Sequence, residues 1–199
     1  MPRDSEGRAN QRSRTRNDLL EAGIELSGEG RSPTLEEVAE RARVSRATAY
    51  RYFPNVDALL AEASLHLAFP DYRTLFANDR DLGALDRLYR VDDAVDRMIQ
   101  ANEASLRMML VSATKQALAQ SEVPARQNRR TPLIDAALAP VADQFEPEAL
   151  DRLKKSLGLV IGTEALLAFK DVLRLDCREA REVRRWMIRT LLEAAKSRT

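Results

Sequence analysis

From Asn17 to Leu26 the apolar positions Leu19, Leu20, Gly23, Ile24 and Leu26 fall close to one helical face, and Gly28 and Gly30 then end the run. A second, shorter helix follows, because Leu35, Val38, Ala39 and Ala42 recur at i, i+3, i+4 and i+7. Thr34 and Glu37 before it have the spacing of a capping box, in which hydroxyl and carboxylate each satisfy the other's backbone N–H. Ser45 is a further cap residue and opens a third helix, which Pro54 terminates. A fourth helix is expected from about Val56 to Phe69, where Pro70 breaks it. Further helices are expected near 82–101, 103–120, 132–143, 147–173 and 177–196, with a long loop at 121–132. No run alternates with period two, so the expected fold class is all-α, without a sheet.

The second and third helices with a turn of about three residues between them outline a helix-turn-helix. The charges sharpen that outline. The chain's 199 residues hold 32 basic and 31 acidic side chains, a net charge of +1, yet residues 41–55 carry four arginines, three aromatics and no acid. Arg8, Arg12, Arg14 and Arg16 form a second acid-free basic segment, the N-terminal arm, while seven acids lie between positions 17 and 40. For binding, where charge sits matters more than its sum. In a helix-turn-helix the second helix enters the major groove. Ser45, Arg46, Ala47 and Thr48, at the start of helix three, are then the base-reading candidates: arginine can bond guanine bidentately, and Ala or Thr can touch a thymine methyl. Tyr50, Arg51 and Tyr52 offer hydroxyls and charge to phosphates. Val38, Ala39, Val44, Ala49 and Phe53 are the expected core, with Ala39 small where the two helices approach most closely. A solvated basic helix whose aromatics only pack is the plainer alternative.

The stretch TLEEVAERARVSRATAYRYFPNVDALL resembles the DNA-binding signature of the TetR (tetracycline-repressor) family of bacterial transcription regulators. The likeness covers residues 16–60, with RNDLLEAGIEL, TLEEVAERA, VSRATAYRYF and DALL in the family's order and spacing. It implies that Ser45, Arg46, Ala47 and Thr48 lie near bases, that Tyr50 and Tyr52 meet phosphates, and that Thr34 caps helix two at the backbone. Two positions depart from the family pattern. Arg43 stands where glycine is usual and a positive φ is expected, which costs about 1 kcal/mol; a phosphate contact would offset it. Val56 stands where a lysine is usual, so Asn55 is expected to cap helix four, and Arg12 and Arg14 to supply charge through the minor groove.

The resemblance further implies a boundary between a DNA-binding domain, residues 1–57, and a ligand-binding and dimerisation domain, residues 58–199. Leu157, Gly158, Ile161 and Gly162 on one helix, and Val183, Trp186, Met187, Thr190 and Leu191 on the last, form apolar stripes. Periodicity alone leaves open whether these are core or interface; the resemblance favours an intersubunit four-helix bundle. His66, Phe69, Tyr72, Phe76, Leu106, Met108 and Met109 fall in segments that the family uses for its pocket, and the expected ligand is small and largely apolar. The partners expected are a palindromic double-stranded operator, that ligand and a second copy of the chain.

Other classes find less support. No secretory leader and no span long enough for a bilayer is visible, so no membrane partner and a cytoplasmic location are expected. The single Cys177 fits a reducing compartment. No paired histidines, cysteine cluster, phosphate loop or activated nucleophile appears, so neither cofactor, metal nor catalysis is expected. A helical interaction module that has lost DNA binding remains the alternative, made conceivable by Arg43 and Val56.

Overall fold

The computed structural model describes residues 3–30, 32–77, 82–118 and 126–196, with the side chains of 3–6 and 8–10 excepted. The helices are α1 (Arg3–Gly28), α2 (Leu35–Arg41), α3 (Arg46–Tyr52), α4 (Val56–Ala68), α5 (Tyr72–Leu75), α6 (Ala84–Ala101), α7 (Glu103–Leu118) and α8 (Arg130–Leu138). After a 3-10 stretch (Ala139–Gln144) come α9 (Pro147–Val160), α10 (Thr163–Leu167), a π-helical turn (Ala168–Val172) and α11 (Cys177–Lys196). The protein is all-helical, with no strand among the described residues.

The structure differs from the sequence expectation in several elements: α5 is unexpected, and the helix expected over 132–143 starts at Arg130 and gives way to the 3-10 stretch after Leu138. The first helix begins at Arg3, well before Asn17, because the basic segment carries no proline and Arg and Gln are good helix formers. The helix expected over 147–173 is interrupted. Gly162, at φ 154° and ψ −172°, adopts a conformation essentially confined to glycine, and the helix restarts at Thr163. The Arg130 guanidinium fills the space where a Gly162 Cβ would stand. Its Nη1 donates to the Gly158 carbonyl at 2.7 Å and to Glu164 Oε2 at 2.6 Å, so the break is held by bonds from α8. The 121–125 part of the expected loop lies outside the described residues, as do 119–120 of the expected helix 103–120.

The chain packs as two units, Met1–Ala68 with Asn102–Gln127, and Phe69–Ala101 with Asn128–Thr199. In the first, α1 packs along α2 and α4, α2 on α3, and α7 on α4. Its core gathers Leu19, Leu20, Leu26, Val38, Ala39, Ala49, Phe53 and Leu59, with Val44 and Val56 at its edge. A Cβ on Gly23 would collide with Leu59, so that glycine sets how closely α1 and α4 approach. Arg16 and Glu62 are buried between these helices as an ion pair, and the guanidinium stacks 4.7 Å from the Phe53 ring centroid.

In the second unit the amphipathic α6 buries Leu88, Val91, Val95 and Ile99, and packs on α8 and α11, while α9 packs on the same two helices. Arg87 closes the end of α8, its Nε and Nη2 donating to the Ala137 and Ala136 carbonyls, which an α-helix leaves unsatisfied at its C-terminus.

Candidate nucleic-acid interface

Two short helices can hold a fixed angle only if their ends are satisfied and their facing sides packed, since seven residues make a marginal helix alone. Both conditions are met. Glu37 N–H donates to Thr34 Oγ1 at 3.2 Å and Thr34 N–H to Glu37 Oε2 at 2.7 Å, closing the capping box on α2. Thr48 N–H donates to Ser45 Oγ at 3.1 Å and caps α3. Asn55 Oδ1 accepts from Ala58 N–H at 2.8 Å at the start of α4. Leu35, Val38 and Ala39 of α2 meet Ala49 and Tyr52 of α3 in the common core.

The turn between the helices passes through Arg43 at φ 55°, the positive value expected at a position where the family has glycine. Arg43 N–H donates to the Glu40 carbonyl and Val44 N–H to the Ala39 carbonyl, so the turn is fixed by its own backbone.

With Ala49 and Tyr52 turned inward, the opposite side of α3 faces solvent. Ser45, Arg46, Ala47, Tyr50 and Arg51 are exposed, Thr48 is half-buried, and Arg43 is exposed beside them in the turn. Tyr52 departs from this set. It is only 2% exposed, lying at i+3 from Ala49 on the core side, so its ring packs rather than meeting phosphate. Its backbone carbonyl accepts from Gln116 Nε2 of α7 at 2.7 Å, which ties down the end of α3. On α1, Arg14 is exposed and Arg12 half-buried, but Arg16 is withdrawn into the core, and the side chain of Arg8 lies outside the described residues.

The exposed face also holds an acid. Glu36 Oε1 accepts from Arg46 Nη2 at 2.6 Å and from the Tyr50 hydroxyl at 3.0 Å. A backbone hydrogen bond and then that from Tyr50 hold the Glu36 carboxyl below the usual carboxylate range, and Glu36 in turn raises the Tyr50 phenol.

Residues 19–63 match the model for bacterial regulatory proteins of the tetR family. That stretch is a TetR-type DNA-binding domain. The match covers the last ten residues of α1 together with α2, α3 and most of α4, the helices whose packing has just been described. No curated protein and no solved structure matches the chain significantly. A TetR-type domain is a DNA-binding module of transcription regulators. No described helix is long and apolar enough to cross a membrane.

The other candidate residues lie outside the matched segment. His66, Leu106, Met108 and Met109 belong to the first unit and Phe69, Tyr72 and Phe76 to the second, so neither unit gathers them all. Leu106 is buried, Met108 is exposed, and Phe76 lies under the Arg87 guanidinium, 4.0 Å from its ring centroid. In the α9–α11 pair, Leu157 and Ile161 are fully buried within their own unit. Gly162 is occupied by Arg130, whereas no atom lies within 4 Å of where a Gly158 Cβ would stand. Val183, Trp186 and Thr190 are exposed, and Met187 and Leu191 half-buried. Leu159, absent from the sequence-based set, is also exposed. Glu36, Glu62 and Gln116 escaped the sequence reading as well, and Arg16 was read only as part of the basic arm: each acts through a partner 10 to 64 residues away, and periodicity carries no such pairing.

Proposed function

We propose that this regulator is a ligand-released repressor that binds a palindromic operator as a homodimer in the cytoplasm and has no catalytic activity. The observation that carries the reading is the solvent-facing side of α3, where Arg46, Ala47, Tyr50 and Arg51 stand exposed on a helix capped by Ser45 and braced by α2. Arg46, Ala47 and Thr48 face base edges, with Ser45 beside them. Tyr50, Arg51 and Arg43 meet phosphates, Thr34 holds α2 against the backbone, and Arg12 and Arg14 extend the contact along α1. One such head has a small footprint, so a twin subunit places a second head about 34–36 Å away.

The dimer surface is the α9–α11 pair, whose outer side exposes Leu159, Val183 and Trp186. Residues 1–57 form the reading head and 58–199 the part that receives a small apolar ligand and dimerises. Helix α4 is the lever: it packs along α1 on one side and α7 on the other, so a change in its axis moves the head. A ligand can act only if it favours a conformer with wrongly spaced heads.

Selection of bound fragments from random duplex DNA tests this reading. A two-fold-symmetric consensus whose affinity falls steeply with salt is expected. Recovery of no consensus, with no duplex retention at low ionic strength, would refute it.

A further inference from the structure

A carboxylate on a surface that approaches phosphates is unfavourable unless it has a task, and Glu36 is such a carboxylate. It is the second residue of α2, on the side away from Leu35, Val38 and Ala39, which are buried. Its Oε1 receives both Arg46 Nη2 and the Tyr50 hydroxyl. Arg46 and Tyr50 stand four residues apart on α3, hence on one side of that helix, and one oxygen gathers both. The Arg46 side chain is nevertheless 72% exposed, and its bond to Glu36 uses Nη2 alone. Nη2 has a second N–H and Nε and Nη1 keep theirs, so one two-donor edge of the guanidinium is left for another acceptor.

We propose that Glu36 is a positioning residue for base recognition: it holds Arg46 in the direction from which the guanidinium meets guanine and keeps it from straying onto phosphates. The inference rests on the DNA-reading role of Arg46 given above. A free arginine is long, rotamer-rich and attracted to every phosphate within reach, which strengthens binding without reading sequence. Tethered by a neighbouring carboxylate, it loses less freedom on docking and meets a phosphate only by leaving an anion it already has. A guanine, presenting N7 and O6 side by side, can be bonded without breaking the tether. Tyr50 fixes the carboxylate from the other side. Glu36 is ionised at neutral pH as any ordinary carboxylate is, and its hydrogen bonds lower its pKa further.

The test compares the full-length wild type with Glu36→Gln, Arg46→Ala and the double variant, each profiled on random duplex DNA and titrated with salt, with thermal unfolding to verify the fold. Glu36→Gln is expected to lose roughly tenfold in discrimination at the base pair that Arg46 reads. It should also bind non-consensus duplexes more tightly, with a log–log salt slope steeper by about 0.9 as the released arginine takes a phosphate. In the Arg46→Ala background the same substitution should change neither the profile nor the slope. A wild-type profile in a folded Glu36→Gln protein would overturn the positioning role, and so would a profile change that persists without Arg46, since Glu36 would then read a base itself. If the wild type binds no duplex, the DNA-reading assignment fails first and this one with it.

Discussion

Arg16 and Glu62 meet inside the first unit as a two-bonded pair, Nε to Oε1 at 2.8 Å and Nη2 to Oε2 at 2.6 Å, with both side chains 4% exposed. A residue that composition assigns to a basic DNA-binding arm is thus a core fastening between α1 and α4, seated against Phe53 at the end of the reading helix. Removing one partner leaves the other charge buried, whereas replacing both by apolar groups of similar volume is close to neutral. Arg16→Met should therefore lower unfolding free energy by about 3–5 kcal/mol in urea titration, and Arg16→Met with Glu62→Leu should recover most of that loss. Equal losses in the single and double variants would contradict a coupled pair.

Arg43 carries the strain of the turn. A side chain at φ 55° costs about 1–2 kcal/mol relative to ordinary backbone, and glycine is free of that cost, although it loses more chain entropy on folding. Arg43→Gly is expected to raise stability by up to about 1 kcal/mol while weakening binding to all duplexes alike, because a phosphate-facing charge is gone. Denaturation and duplex titrations on one preparation separate the two effects. A stabilised variant with undiminished affinity would remove Arg43 from the contact surface.

How far the sequence speaks for the structure differs between the halves. Around α2 and α3 the information is local: a hydroxyl three residues before a carboxylate, a serine before a helix, an arginine where the backbone turns left-handed. The capping box, the Ser45 cap, the Asn55 cap and the positive φ of Arg43 were all legible for that reason. Tyr52 was not, because its hydroxyl suggested phosphate while its place three residues after Ala49 turned it to the core. The break at Gly162 was also hidden. It depends on Arg130, 32 positions earlier in the chain, and an apolar run with two glycines reads equally well as one helix or two. Glu36 was visible only as an acid in a first helical turn, a common dipole device; its bonds to Arg46 and Tyr50 required the angle between two helices.

The buried face of α6 makes stability depend on pH. Asp92 is 2% exposed, and burial pushes its carboxyl up to about 6 despite the opposing charge of Arg184, whose Nε donates to Oδ1 at 2.9 Å. Its Oδ2 is buried without a hydrogen-bond partner. Between the unfolded value of 3.8 and about 6, the folded protein binds the proton that the unfolded chain has released. This contribution is complete below the lower value and disappears as pH rises through the upper one. In urea titrations from pH 4 to 7, the stability of wild type relative to Asp92→Asn should fall by up to about 3 kcal/mol as pH rises. A difference that stays constant with pH would mean that Asp92 titrates normally.

The last helix offers the sharpest separation of core from the proposed association surface. On α11, Ile188 and Leu192 are buried, while Trp186 stands 65% exposed and Val183 37% exposed on the other side. On α9 the corresponding contrast is between Leu157, fully buried, and Leu159, 68% exposed. Large apolar side chains in solvent on two helices that pack together are what a self-complementary two-fold surface would bury. A charge at Trp186 should therefore leave the subunit folded but separate it from its twin, and Trp186→Glu is expected to halve the mass seen in sedimentation at unchanged helicity. Its operator affinity should fall steeply, because each head then binds its half-site without the other's effective concentration. Leu157→Ala should act the other way round, lowering stability by about 2–5 kcal/mol through a core cavity while the folded fraction still sediments as a dimer. An unchanged mass for Trp186→Glu would place the association surface elsewhere, and monomers from Leu157→Ala at temperatures where it is fully folded would show that this leucine supports the contact from behind.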